Sequence, residues 1–219
     1  MKGVEIYNDV RCNMKKVLLY GDSNTWGHNP VDFSQLETTW GKIAQKLLPE
    51  CEIEIDGECG RATLAGEGAK HGIACFRERY FTKKREFDLI VIMLGTNDVL
   101  KEFNYTAERT AQALRQYIHE ARVVYGEKTP EFLIISPILV KENALKHPVF
   151  SELYTPQSVE TSLHFAEAIE RMTKDEGVYF MNAALYSEAS DIDGIHMEPE
   201  EHEKLGVAAA EKIKEIFKL

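Results

Sequence analysis

The sequence has no run of eighteen or more apolar residues, so no segment reads as a membrane-spanning helix. Its opening stretch, MKGVEIYNDVRCN, lacks the apolar segment that a secretory signal requires, and a cytoplasmic address is expected. Cysteine is scarce: Cys12, Cys51, Cys59 and Cys75, in a chain of 219 residues, read as reduced thiols rather than as a disulfide framework. With 14 glycines and 7 prolines the composition excludes a fibrous or low-complexity chain. Basic charge is short as well, 26 Lys and Arg against 36 Asp and Glu. The net charge of -10 repels phosphate backbones and anionic lipid, so neither nucleic acid nor a membrane is an expected partner.

What is present suits one larger α/β domain. Hydrophobic residues make up 44% of the chain, enough for a sizeable core. Met14 is followed at once by KKVLLYGDS, so residues 1–13 read as an N-terminal extension and 14–219 as a single domain. Short apolar runs at 17–20, 51–55, 88–94, 132–136 and 178–182 read as strands, and DLIVIML at 88–94 is apolar enough to be central. Helical spacing appears over 40–48, 67–81, 106–125, 157–174 and 199–217, with Pro199 in the first turn of the last helix. The loop 137–156 is long for a compact domain, which marks it as a candidate functional loop. Alternating strands and helices with near-continuous apolar strands predict a parallel sheet covered on both faces. Ligands of such sheets bind beyond the carboxyl ends of the strands.

The residues after those ends carry chemistry. GDSNTWG (21–27) follows the first strand, GECGRAT (57–63) the second and GTND (95–98) the central one, while DGIH (193–196) lies after the last strand. A serine hydroxyl is a weak nucleophile near neutral pH and needs a base; His196 is the candidate base for Ser23. Asp193, three residues before His196, can fix the imidazole tautomer and stabilise the imidazolium. Attack on a carbonyl makes an oxyanion, for which the side chain of Asn97 and the backbone amides of Gly60 and Ser23 are candidate donors. No cofactor and no metal is implied.

These four blocks, in this order, resemble the SGNH hydrolases, also called the GDSL esterase/lipase family, from Lys15 to the C-terminus. GDSNTWG, IMLGTND, DGIH and the loop SPILVKENALKHPVF are most similar to the arylesterase/acyltransferase branch. The resemblance implies a flavodoxin-like three-layer α/β/α sandwich with a five-stranded parallel sheet. It implies Ser23 as nucleophile, Asp193 and His196 as acid and base, and an oxyanion hole of Ser23, Gly60 and Asn97. Two departures stand out. Asn24 replaces the Leu of the family name, and Ile55 replaces the Asn that usually opens the second block, which leaves Gly57 as the alternative oxyanion glycine.

The expected function is a serine esterase acting on short-chain, acetyl-type carboxylic esters through an acyl-enzyme. Its partner is then a small-molecule ester. Acyl transfer to an alcohol is implied if the long loop or a homo-oligomer interface closes the site. Trp26, His147, Phe150 and Tyr154 are candidate substrate-binding residues. Rival readings are a carbohydrate O-deacetylase using the same apparatus and a non-catalytic flavodoxin-like nucleotide-binding domain. Against the latter, neither GxGxxG nor GxxxxGK[ST] follows any strand. Residues 189–200 mimic a calcium loop at Asp191, Asp193, Gly194 and Glu200, but Ala189 occupies its first ligand position. Cys59 reads as a packed thiol, Asp98 as a turn residue bonding loop amides, and His202 as a solvated helix residue.

Overall fold

The five apolar runs form five strands: β1 (Lys15–Gly21), β2 (Cys51–Gly57), β3 (Leu89–Met93), β4 (Glu131–Ser136) and β5 (Tyr179–Asn182). The computed structural model describes residues 14–219, and the extension expected over 1–13 lies outside them. The ladders are parallel and the order is β2-β1-β3-β4-β5. The helices are α1 (Ser23–Trp26), α2 (Trp40–Leu47), α3 (Gly72–Phe76), α4 (Ala107–Tyr125), α5 (Pro156–Leu163), α6 (Phe165–Glu176) and α7 (Pro199–Phe217).

Alternation along each strand builds two cores. Leu18, Tyr20, Ile90, Ile92, Phe132 and Ile134 join Phe76, Leu114, Tyr117, Phe165 and Ile169 of α3, α4 and α6. Val17, Leu19, Leu89, Val91, Leu133 and Ile135 join Trp40, Ala44, Leu205, Ala209 and Ile213 of α2 and α7. Each fully buried side chain of this size stabilises the fold by about 1.5–3 kcal/mol, which is why strands covered on both faces read as unbroken apolar runs. β3 is buried at every position, as its sequence predicts. Thr39 and Thr106 cap α2 and α4 by accepting from Lys42 N–H and Arg109 N–H. Among the described residues no helix is long and apolar enough to cross a membrane.

Three local expectations are corrected. The helix expected over 67–81 is broken into a 3-10 turn at Gly68–Lys70, the short α3 and a π turn at Arg77–Phe81. Glycines at 68 and 72 weaken helical continuity there. The helix expected over 157–174 divides at His164, whose N–H bonds Thr161 O, so that α6 redirects Phe165, Ala168, Ile169 and Met172 onto the sheet. His202, read as solvated among charged neighbours, is fully buried beneath α2 and its Nδ1 accepts from Trp40 N–H at 3.2 Å.

The chain leaves β1 toward β2 and then crosses back to β3 on the other side. This reversal opens a crevice at the carboxyl ends of β1 and β3, the usual ligand position in such sheets. The loop 137–156 folds over that end in two 3-10 turns, Glu142–Leu145 and Phe150–Glu152. Lys141 N–H donates to Gly194 O and the Asn143 amide to Asp191 O, which ties this loop to the segment carrying Asp193 and His196.

Candidate active site

Ser23 opens α1 directly after β1, where the Asp22 side chain caps the helix by accepting from Asn24 N–H at 2.9 Å. His196 comes from the loop before α7, 173 residues away, and its Nε2 is 2.9 Å from Ser23 Oγ. Its Nδ1 is 2.6 Å from Asp193 Oδ2. All three side chains are buried. Burial raises the Asp193 carboxyl, but the bonds from the His196 ring and from the Ile195 and His196 N–H groups outweigh it and leave the pKa below its ordinary value. An ionised carboxylate only accepts, so Nδ1 carries the proton and Nε2 is left to accept from the Ser23 hydroxyl.

Asn97, on the turn after β3, donates from Nδ2 to Arg61 O at 3.1 Å, which points its NH₂ toward the turn that carries Gly60 and leaves its second N–H unspent. Among the described residues the backbone N–H groups of Ser23 and Gly60 meet no protein acceptor. Gly60 has φ +79 and lines the cleft. Gly57 does not line it: a Cβ there would come within 2.2 Å of Trp26 N, so this glycine serves the close approach of β2 to α1. The Gly60 turn is held by Arg61, whose buried guanidinium donates to Gly21 O, Asp56 O and Asp56 Oδ1, each at 2.9 Å, and stacks 4.1 Å from the Tyr20 ring centroid.

The cleft encloses ≈ 600 Å³. Ser23, His28, Gly60, Asn97 and His196 form its floor, and the rest of its lining combines the charged Glu67, Lys70 and Glu102 with Leu100, Phe103, Phe150, Leu153 and Tyr154. Of the four expected substrate-binding residues, Phe150 and Tyr154 line it. Trp26 and His147 do not: Trp26 O accepts from Gln35 Nε2, and His147 stacks behind Phe150 with ring centroids 4.9 Å apart. A second cleft of ≈ 540 Å³ lies at the other end of the sheet, among Lys16, Lys84, Asp88, Tyr125 and Lys128, with no nucleophile beside a base.

Two buried carboxyls lie behind the floor. Asp98 Oδ1 accepts from Thr63 N–H and Oγ1, the structural role expected of it, and burial pushes its pKa up to about 7. Burial likewise pushes Asp22 up to about 6. Burial, then the charge of Asp22, pushes the Cys59 thiol up to about 11, so it stays protonated and is a poor nucleophile. His28, Asp193 and His196 place one ligand atom each within 4.8 Å of one another. Yet the two imidazoles are stacked, so their in-plane lone pairs do not converge, and Asp193 is spent on His196 and two backbone amides. That geometry favours a hydrogen-bonded relay over a metal centre.

Asn24, the departure from the GDSL pattern, carries no assigned role in the sequence and has a clear place in the structure. Its side-chain amide accepts from Met197 N–H and donates to Ile195 O, both at 3.2 Å, so it brackets His196 on both sides. Asn24→Leu leaves both backbone groups buried without partners. It is expected to cost about 2 kcal/mol of stability in urea titration and to lower kcat. Unchanged stability and kcat would contradict this role.

The GDSL-like Lipase/Acylhydrolase family matches residues 19–204. No curated protein sequence matches the chain. Among solved structures, a carbohydrate acetylesterase family member from Sinorhizobium meliloti is similar at 26% identity and TM-score 0.84, over 94% of this chain and 100% of that one. A putative arylesterase from Agrobacterium tumefaciens shares 26% identity at TM-score 0.81, over 93% and 100%. The inhibitor-bound aryl esterase of M. smegmatis shares 25% at TM-score 0.81, over 92% and 99%.

Proposed function

The chain belongs to the GDSL-like lipase/acylhydrolase family and is a carboxylic ester hydrolase, and from that premise we propose that Ser23, His196 and Asp193 cleave small acyl esters through an acyl-enzyme. The observation that carries this reading is the continuous chain of contacts from Asp193 Oδ2 through both imidazole nitrogens to Ser23 Oγ. Ser23 Oγ attacks the carbonyl carbon as its proton passes to Nε2. The oxyanion is received by the N–H groups of Ser23 and Gly60 and by Asn97 Nδ2. As the tetrahedral intermediate collapses, the alcohol leaves with the proton from Nε2. Water then enters, gives its proton to the same nitrogen, attacks the acyl carbon and releases the acid.

We expect short acyl groups as substrates: the lining mixes the charged Glu67, Lys70 and Glu102 with Leu100, Phe103, Phe150, Leu153 and Tyr154, so a long alkyl chain gains only part of the about 0.8 kcal/mol per methylene that a wholly apolar wall provides. The same charged groups favour a second reading, an O-deacetylase of carbohydrates, whose hydroxyls need polar partners; the Sinorhizobium meliloti neighbour is described as a carbohydrate acetylesterase. An alcohol competes with water for the acyl-enzyme where the long loop or a second copy of the chain keeps water out.

kcat/KM for p-nitrophenyl acetate, butyrate and octanoate, measured beside acetate release from peracetylated sugars, tests the assignment. We expect acetate to exceed octanoate by at least about tenfold, since a lining that is partly charged lets octanoate bury only part of its tail. Preference for octanoate would overturn the short-chain reading. Faster release from the sugars than from p-nitrophenyl acetate would select the deacetylase.

A further inference from the structure

His28 is the one imidazole at the site that the ester chemistry does not use. It follows Gly27 at the end of α1, where its N–H donates to Ser23 O at 3.0 Å, so the nucleophile's own backbone anchors it. Its ring stacks on that of His196, centroids 4.0 Å apart and planes inclined by 32°. Phe150 flanks His196 as well, at 5.6 Å. Behind His28 is Phe33, at 5.3 Å, which also meets Phe150 and His147 edge-on at 6.1 Å. Phe33 has φ +65, a left-handed conformation that costs a residue with a bulky side chain. Strain of this kind beside a reacting centre persists where the surroundings impose it, and here it delivers a ring that backs His28.

We propose that His28 is a positioning residue for the general base: its uncharged ring holds the His196 imidazole in line between Asp193 and Ser23 and favours the imidazolium formed as Ser23 attacks. The proposal rests on the reading of Ser23, His196 and Asp193 as the reacting set. A neutral ring presents an electron-rich face to a neighbouring cation, whereas a second imidazolium at the same distance would oppose it. The surroundings keep His28 neutral. Burial, then the facing His196, push its pKa down to about 4, against smaller opposing effects of Asp193 and of Asp32 on its own loop. The remaining ionisable neighbour, Cys59, is a protonated thiol whose Sγ is 4.0 Å from His28 Nδ1.

The role of the ring is separable from that of its nitrogens by comparing His28→Ala with His28→Phe in the full chain. kcat, KM, the melting temperature and the rate of labelling by an organophosphonate are measured for each. Loss of the stacked face is expected to lower kcat and labelling in His28→Ala by about five- to thirtyfold, the range of a desolvated cation–π contact, with KM within about twofold. His28→Phe, which restores a neutral ring, is expected to return kcat to within about threefold of the parent. A kcat for His28→Ala within twofold of the parent would overturn the proposal, as would a His28→Phe variant no faster than His28→Ala. Ser23→Ala run alongside separates the two readings: if it still turns over ester, the reacting set itself is misassigned and not merely its support.

Discussion

Replacing Ser23 with alanine is expected to lower ester turnover by at least about 10⁴-fold while leaving the fold intact. The hydroxyl is nearly buried and its one side-chain partner is His196 Nε2, so removing it leaves no buried charge unpaired. The helix cap comes from Asp22, which the substitution does not touch. What is lost is the oxygen 2.9 Å from His196 Nε2, and the oxyanion donors alone retain a small residual rate over water. Initial rates with p-nitrophenyl acetate, together with the melting temperature, check this. A variant that keeps more than about a tenth of the parent's rate would remove Ser23 from the mechanism.

Asp193→Asn is expected to lower kcat by about 10⁴-fold with a change of only a few degrees in melting temperature. Asp193 Oδ1 accepts from both Ile195 N–H and His196 N–H at 2.9 Å, and these donors require an acceptor. The carbonyl oxygen of the asparagine therefore takes that position and its NH₂ turns toward His196 Nδ1. An NH₂ only donates, so Nδ1 must present its lone pair and the ring proton moves to Nε2. In that tautomer Nε2 donates to Ser23 Oγ and cannot take its proton. Steady-state kinetics across pH 5–9 report the effect, and a loss smaller than tenfold would mean that Asp193 does not set the tautomer.

The sheet, its parallel order and the loops that carry the reacting groups are legible in the sequence because each rests on a strong local signal. β3 reads as central because nothing but apolar side chains survives between two layers of helices, and Ser23, Asn97, Asp193 and His196 follow strands whose ends are easily placed. The misread features depend on contacts distant in sequence. His202 lies among glutamates and lysines and is nonetheless buried, because α2 crosses it from 162 residues away. Asn24 shows in the sequence only as a departure from the GDSL pattern and His28 belongs to no motif; their contacts exist only once the β5–α7 connection is folded against them. The choice of Gly60 over Gly57 for the cleft floor is a matter of backbone clearance, to which sequence spacing is blind.

The central claim is that the hydroxyl of residue 23 becomes covalently acylated during turnover. Acid-quenched mass spectrometry of the enzyme mixed with p-nitrophenyl acetate, followed by peptide mapping, tests it most directly. The account predicts one acetyl group on the peptide containing Ser23, formed within the first turnover and absent from Ser23→Ala. Steady ester turnover with no acetylated peptide at any quench time, or an acetyl group found on Cys59 or another residue instead, would contradict it.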